Sequence, residues 1–193
     1  MFGRYKLLFS LILMPLVLAA FYALYEAEQG NCHAITDGEA YRSAQMDGSE
    51  LKAFINKYHI KSILNLRGKN SDEKWYVEEM KVSSESKIMH YDVSLSADRE
   101  PTRNETLILT GIFKSAPRPI LIHCRAGADR SGLAAAMWKV IVDNTSKIEA
   151  GKQLSILYGH LPLGPTSAMD HFFENWFPEL KKGPIQSDGL VHA

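Results

Sequence analysis

The sequence predicts a three-layer α/β domain, with a central, mostly parallel sheet of about four or five strands flanked by helices, preceded by an N-terminal transmembrane helix. Three observations carry this. Short apolar runs such as "KSILNLRG" and "RPILIHC" alternate with stretches of helical periodicity, the pattern of strands joined by helical crossovers. At 193 residues the chain can hold one domain with a full core and a modest extension, but not two comfortable domains. Nineteen uncharged residues, Leu7 to Tyr25, match the hydrocarbon thickness of a bilayer.

Arg4 and Lys6 precede that run and Glu26 and Glu28 follow it. Basic residues favour the cytoplasmic side, so the expected arrangement is a single-pass inner-membrane protein whose domain lies outside the cytoplasm, in the periplasm of a Gram-negative cell. Removal of the run as a signal peptide, giving a secreted periplasmic protein, is the alternative. Residues 1–29 are thus the anchor or signal segment, 30–180 the domain, and 181–193, which lack periodicity, a flexible tail. Gly30 to Asp37 reads as a tether.

"AYRSA" reads as a strand, and "DGSELKAFINKYHI" as a helix with Ser49 at its N-cap and Leu51, Phe54, Ile55 and Tyr58 on one face. "KSILNLRG" is a strand and "DEKWYVEEMKV", acidic in its first turn, a helix. "KIMHYDVSLS" alternates with the period of a strand. "PTRNETLILTGIFKSA" is helical in spacing, "RPILIHC" is a buried strand, and "GLAAAMWKVIVD" is strongly helical. "SKIEAGKQLSILYG" and "SAMDHFFENWFPEL" read as two more helices, separated by the breaker-rich "HLPLGP".

The charges cancel, 22 basic against 22 acidic, so no whole-chain field points to nucleic acid, and any anion recognition must be local. Two cysteines, Cys32 and Cys124, make neither a disulfide scaffold nor a zinc site. No metal or organic cofactor is implied, and the oligomeric state is left open.

The chemistry concentrates in "LIHCRAGADRSG", Leu121 to Gly132. A loop between a buried strand and a helix N-terminus turns several backbone N–H groups and the positive end of the helix dipole toward one point. Arg125, Ala126, Gly127, Ala128, Asp129 and Arg130 are the expected substrate-binding residues of such a cradle. At its base the dipoles favour thiolate over thiol, which makes Cys124 a nucleophile toward a bound phosphate monoester. Arg130, six positions on, supplies a planar fork to the equatorial oxygens. Gly127 permits a backbone conformation or close approach that a Cβ would obstruct. Ser131 can donate toward the sulfur as it leaves, and His123 can order the loop through its ring nitrogens.

The stretch His-Cys-x-x-Gly-x-x-Arg-Ser-Gly resembles the signature of the cysteine-dependent protein tyrosine phosphatase superfamily, and the small single-domain layout resembles its dual-specificity branch. "GNCHAITDGEAYRSAQ" followed by "HIKSILNLRG" is similar to the opening of small bacterial phosphatases of that branch. The resemblance implies a phosphatase-like fold, a phosphocysteine intermediate and a general acid on a loop before the helix that leads to the nucleophile strand. Asp98, beyond the alternating strand in a loop bounded by Pro101, fits that place; Asp92, inside the strand, is explained by exposure on one face.

Arg125 and Asp129 nearly cancel within the loop. Superfamily members acting on phosphoinositides tend to carry extra basic residues there, so the resemblance implies a phosphotyrosine or phosphoserine/threonine protein as substrate. A membrane-associated lipid or glycan phosphate is the alternative, and a catalytically silent phospho-binding module is the alternative of another class; a sulfurtransferase ranks last because its cysteine–arginine loops are shorter. Arg67 reads as a surface arginine at a strand end. Cys32 reads as an idle thiol, with a disulfide to Cys124 as its alternative in an oxidising compartment.

Overall fold

Five short strands build one sheet in the order β1-β2-β5-β3-β4: β1 is His33–Thr36, β2 Ala40–Ser43, β3 Ser62–Asn65, β4 Met89–Asp92 and β5 Ile120–His123. β2, β5, β3 and β4 run parallel, and β1 pairs antiparallel with β2. The computed structural model describes residues 30–178 together with residues 13, 14, 17 and 18. The apolar run Leu7 to Tyr25, apart from those four positions, and the tail 181–193 lie outside the described residues, and among the described residues no helix is long and apolar enough to cross a membrane.

The helices are α1 Gly48–Tyr58, α2 Lys74–Glu85, α3 Arg103–Ser115, α4 Asp129–Ile141, the single turn α5 Lys147–Ala150 and α6 Ala168–Asn175. Strand faces alternate with period two. Ile120, Ile122, Leu64 and Leu66 pack with Leu109 and Phe113 of α3 and with Leu133 to Trp138 of α4. Leu121, Ile63 and Tyr41 meet Leu51, Phe54 and Ile55 of α1 and Val82 of α2 on the other face. Three layers result, as expected. β5 is buried along its whole length, which explains its unbroken apolar run.

Three local expectations are corrected. The N-cap of α1 is Asp47, not Ser49: its carboxylate accepts from the backbone N–H groups of Ser49 at 2.8 Å and Glu50 at 2.9 Å, and Glu50 accepts from the Asp47 N–H. The tether contains β1, whose four residues include one buried side chain, Ile35; so short a strand has no readable period and owes its existence to pairing with β2. The stretch from Ser146 is one turn of helix followed by 3₁₀ turns at Gly151–Gln153 and Ile156–Tyr158, because Gln153 turns inward to a buried partner described below.

The register places the site. Ser43 and Asn65 both pair with His123, so β2, β5 and β3 end side by side at one sheet edge. Ala44, Cys124 and Leu66 leave that edge together, facing the N-terminus of α4.

Candidate active site

Cys124 follows β5 directly and is 2% exposed, with its Sγ 3.5 Å from the Oγ of Ser131 in the first turn of α4. Between them the carbonyls of four successive residues are engaged from outside the loop. Arg125 O accepts from the Gln45 N–H at 3.2 Å, Ala126 O from Asn31 Nδ2 at 3.0 Å, and Gly127 O and Ala128 O from Arg42 Nη2 at 2.9 Å each. In a trans peptide the N–H points opposite to the C=O. The N–H groups of Ala126, Gly127, Ala128 and Asp129 are therefore turned into the loop, together with the positive end of α4.

Gly127 has φ +70°, and a Cβ there would stand 2.6 Å from Ala44 N and 2.7 Å from Ser43 C. The loop rests on the end of β2 with no room for a side chain.

Arg42, inside β2, is fully buried. Its Nη1 donates to Gln153 O at 2.7 Å and Gln153 Oε1 at 3.1 Å, and its guanidinium lies 4.5 Å from the Tyr158 ring. Burial lowers its pKa to about 10, with Cys124, Tyr158 and Asp129 pulling the other way. The guanidinium ties the loop to the 3₁₀ turns rather than facing the cup. A charge in the middle of a buried strand was the sequence signal for it, since such a charge must be paired.

Arg130 makes one long contact, from Nη1 to Leu95 O at 3.4 Å, and its buried Nε has no hydrogen-bond partner among the described residues. Its fork is thus largely uncommitted. Arg67 is more than a surface residue: its guanidinium stacks 3.6 Å over the Trp75 ring and donates to Gln45 Oε1 at 3.2 Å. Burial, then the like charges of Arg130 and Arg125, lower its pKa. Three arginines share the neighbourhood of the loop.

His123 does not order the loop directly. Its Nε2 lies 3.2 Å from the carboxylate of Glu79 in α2, which also meets His90 Nε2 at 2.7 Å and Gln45 Nε2 at 2.7 Å. Burial alone would raise the Glu79 pKa; the bonds from His123 and His90 outweigh it and hold the carboxyl well below its usual range. His123 reaches the loop at second hand, through Glu79 and Gln45. Asp129 likewise turns its carboxylate away, toward His160 Nδ1 at 2.7 Å, and His160 Nε2 meets Asp170 at 2.8 Å. Its share of the cradle is the backbone N–H, since a carboxylate facing the cup would repel an anion.

Asp98 is exposed in the β4–α3 loop, its N–H donating to Ser96 Oγ at 3.1 Å, and Leu95 of the same loop is the residue Arg130 reaches. Asp92 is not merely solvent-facing. It accepts from Tyr76 Oη at 2.6 Å and Asn65 Nδ2 at 2.8 Å, a structural commitment. The Cys32 Sγ lies 3.5 Å from Gly30 O. His33 pairs with Arg42, so Cys32 stands opposite Ser43, which pairs with His123. Two strand spacings of about 4.8 Å part Cys32 from β5, beyond the roughly 7 Å Cα separation a disulfide spans.

The profile of a family described as "DSP-PTPase phosphatase fused to NAD+ Kinase" matches residues 15–162, well over half the chain. The chain belongs to this family of cysteine-dependent, dual-specificity-like phosphatases. The phosphatase fold has solved counterparts. Two structures of P. aeruginosa TpbA, the second holding pTyr, are 18% and 17% identical, cover 78% and 76% of this chain and 87% and 85% of their own, and have TM-scores of 0.58 and 0.57. The catalytic core of the S. cerevisiae PP-IP phosphatase Siw14 with citrate is 22% identical over 76% of this chain and 85% of its own, with a TM-score of 0.60. PTPMT1 is 15% identical over 74% and 94%, with a TM-score of 0.52. At these identities the likeness is one of fold. No curated protein matches this chain in sequence.

Asn31, Arg42, Gln45, Glu79, Gln153 and His160 escaped the sequence reading. Each lies far along the chain from the loop it supports, or in a segment without periodicity.

Proposed function

We propose that the protein hydrolyses phosphate monoesters through a phosphocysteine intermediate. The observation that carries the reading is the row of four outward-bonded carbonyls, which turns N–H groups toward a phosphate beside Cys124. Cys124 Sγ attacks phosphorus in line, the bond from phosphorus to the ester oxygen breaks, and Asp98 delivers the proton to the departing oxygen. Arg130 holds the equatorial oxygens by its free fork. Water then attacks phosphorus, Asp98 takes its proton, and the S–P bond breaks while Ser131 donates toward the sulfur, releasing inorganic phosphate.

A phosphorylated protein side chain is the first substrate class, supported by pTyr in the related TpbA fold. A lipid-borne phosphate is the second reading. It is favoured by the apolar surface beside the loop, and would suit a protein anchored by Leu7 to Tyr25 with its domain outside the cytoplasm.

Hydrolysis of para-nitrophenyl phosphate by the full chain under reducing conditions tests the chemistry. Cys124→Ser should fall to background, and Asp98→Asn should lose about 10²–10⁴-fold. A folded, reduced wild type that is inert, yet binds phosphopeptide as well as Cys124→Ser does, would replace the enzyme with a phospho-binding module.

A further inference from the structure

The segment from Ser155 to Leu163 is inside out. Its polar and aromatic side chains point inward: His160 is 0% exposed against Asp129 and Asp170, and Tyr158 lies under the Arg42 guanidinium. Its aliphatic side chains point outward, with Ile156 67%, Leu161 48% and Leu163 71% exposed. A globular surface has no use for that order, and contiguous exposed apolar surface marks an interaction site. The backbone is held rather than loose, since His160 N–H donates to Ser155 O at 3.1 Å and Thr166 Oγ1 to Leu161 O at 2.7 Å.

The entry point of the chain says what covers this surface. Asn31 Nδ2 donates both to Ala126 O of the phosphate loop and to Tyr158 O of the apolar segment, each at 3.0 Å. Gly30 O accepts from the Ala44 N–H beside them at 2.8 Å. Four residues, Glu26 to Gln29, separate Tyr25, the last of the nineteen uncharged residues, from Gly30. Fully extended, the five Cα–Cα steps from Tyr25 to Gly30 reach about 17 Å. With Leu7 to Tyr25 inserted, the phosphate loop cannot stand farther from the bilayer than this short reach allows.

We infer that Ile156, Leu161 and Leu163 form a membrane-docking surface, which sets the phosphate loop against a lipid bilayer and directs it to phosphate monoesters carried at the headgroup level. This rests on the phosphatase reading above for its substrate and on insertion of Leu7 to Tyr25 for its geometry. Burying three aliphatic side chains at the acyl boundary adds a second attachment to the anchor and fixes the domain's orientation.

The test is quenching of tryptophan emission by brominated acyl chains, with the full chain reconstituted in phosphatidylethanolamine/phosphatidylglycerol vesicles. Leu163→Trp places a reporter in the surface, whereas Met89→Trp, 51% exposed at the start of β4, places one at the opposite sheet edge. Above the background of the three native tryptophans, the reporter at position 163 should be quenched at least about twofold more than that at position 89. Adding Ile156→Ser and Leu161→Ser to the Leu163→Trp chain should abolish the difference while leaving para-nitrophenyl phosphate turnover within about twofold. Equal quenching at the two positions, or a reporter at 163 shielded from water but not quenched by lipid, overturns docking. Absence of turnover in the parent chain would instead sink the phosphatase reading and leave the quenching result legible.

Discussion

Replacing Arg42 by Lys probes whether the loop is shaped from behind. The guanidinium makes four hydrogen bonds, two to Gln153 and two to the carbonyls of Gly127 and Ala128. An ammonium is a point donor on a shorter stem and cannot serve both sides at once. Two charge-assisted bonds are lost at about 1.5–3 kcal/mol each, part of which other contacts recover, so the expected loss is about 3 kcal/mol. At about 2–4 °C per kcal/mol in a domain of this size, Tm should fall by about 6–12 °C. If the Gly127 or Ala128 carbonyl is the one released, it is free to rotate toward the cup and one inward N–H is lost, which by analogy with an oxyanion donor costs about 10²-fold in turnover. Thermal unfolding and steady-state hydrolysis of para-nitrophenyl phosphate read the two effects. Arg42→Lys with wild-type Tm and wild-type kcat/KM would refute the argument that outward carbonyl clamping shapes the cradle.

Two further outcomes follow from other parts of the site. Gly127→Ala forces a Cβ to 2.6 Å from the Ala44 nitrogen at φ +70°. The left-handed conformation alone costs about 1–2 kcal/mol and the clash adds to it, so Tm should drop and turnover should collapse together. His160 has its pKa lowered by burial but raised further by its bonds to Asp129 and Asp170, for a net increase above 6.5. Its contribution to stability is full below about 6.5 and fades as pH rises through the raised folded value. Asp170→Asn should therefore lower Tm most near pH 5.5–6.5 and progressively less at alkaline pH, as read by thermal unfolding across that range.

The layers and the loop proposed as the active site were legible from the chain alone. Apolar periodicity is local, so β2 to β5, α1 to α4 and the three-layer class could be read from single windows of sequence, and α4 announced itself by Leu133 to Trp138. The loop that carries Cys124, Gly127, Arg130 and Ser131 was equally legible because it is built from contiguous residues whose spacing is set by one turn and one helix start. What tertiary structure alone decided is everything that reaches this loop across the sheet. Arg42 meets Gly127 and Ala128 because β2 lies beside β5, and Asn31 meets Ala126 because β1, four residues without a readable period, adds to that edge. Glu79 collects His123 and His90 from two strands and Gln45 from the loop after β2, and His160 joins two aspartates 41 positions apart, numbers 129 and 170. Hydrogen bonds between residues distant in the chain leave no period in it, and strand order, which one-dimensional patterns do not encode, determines which of them form.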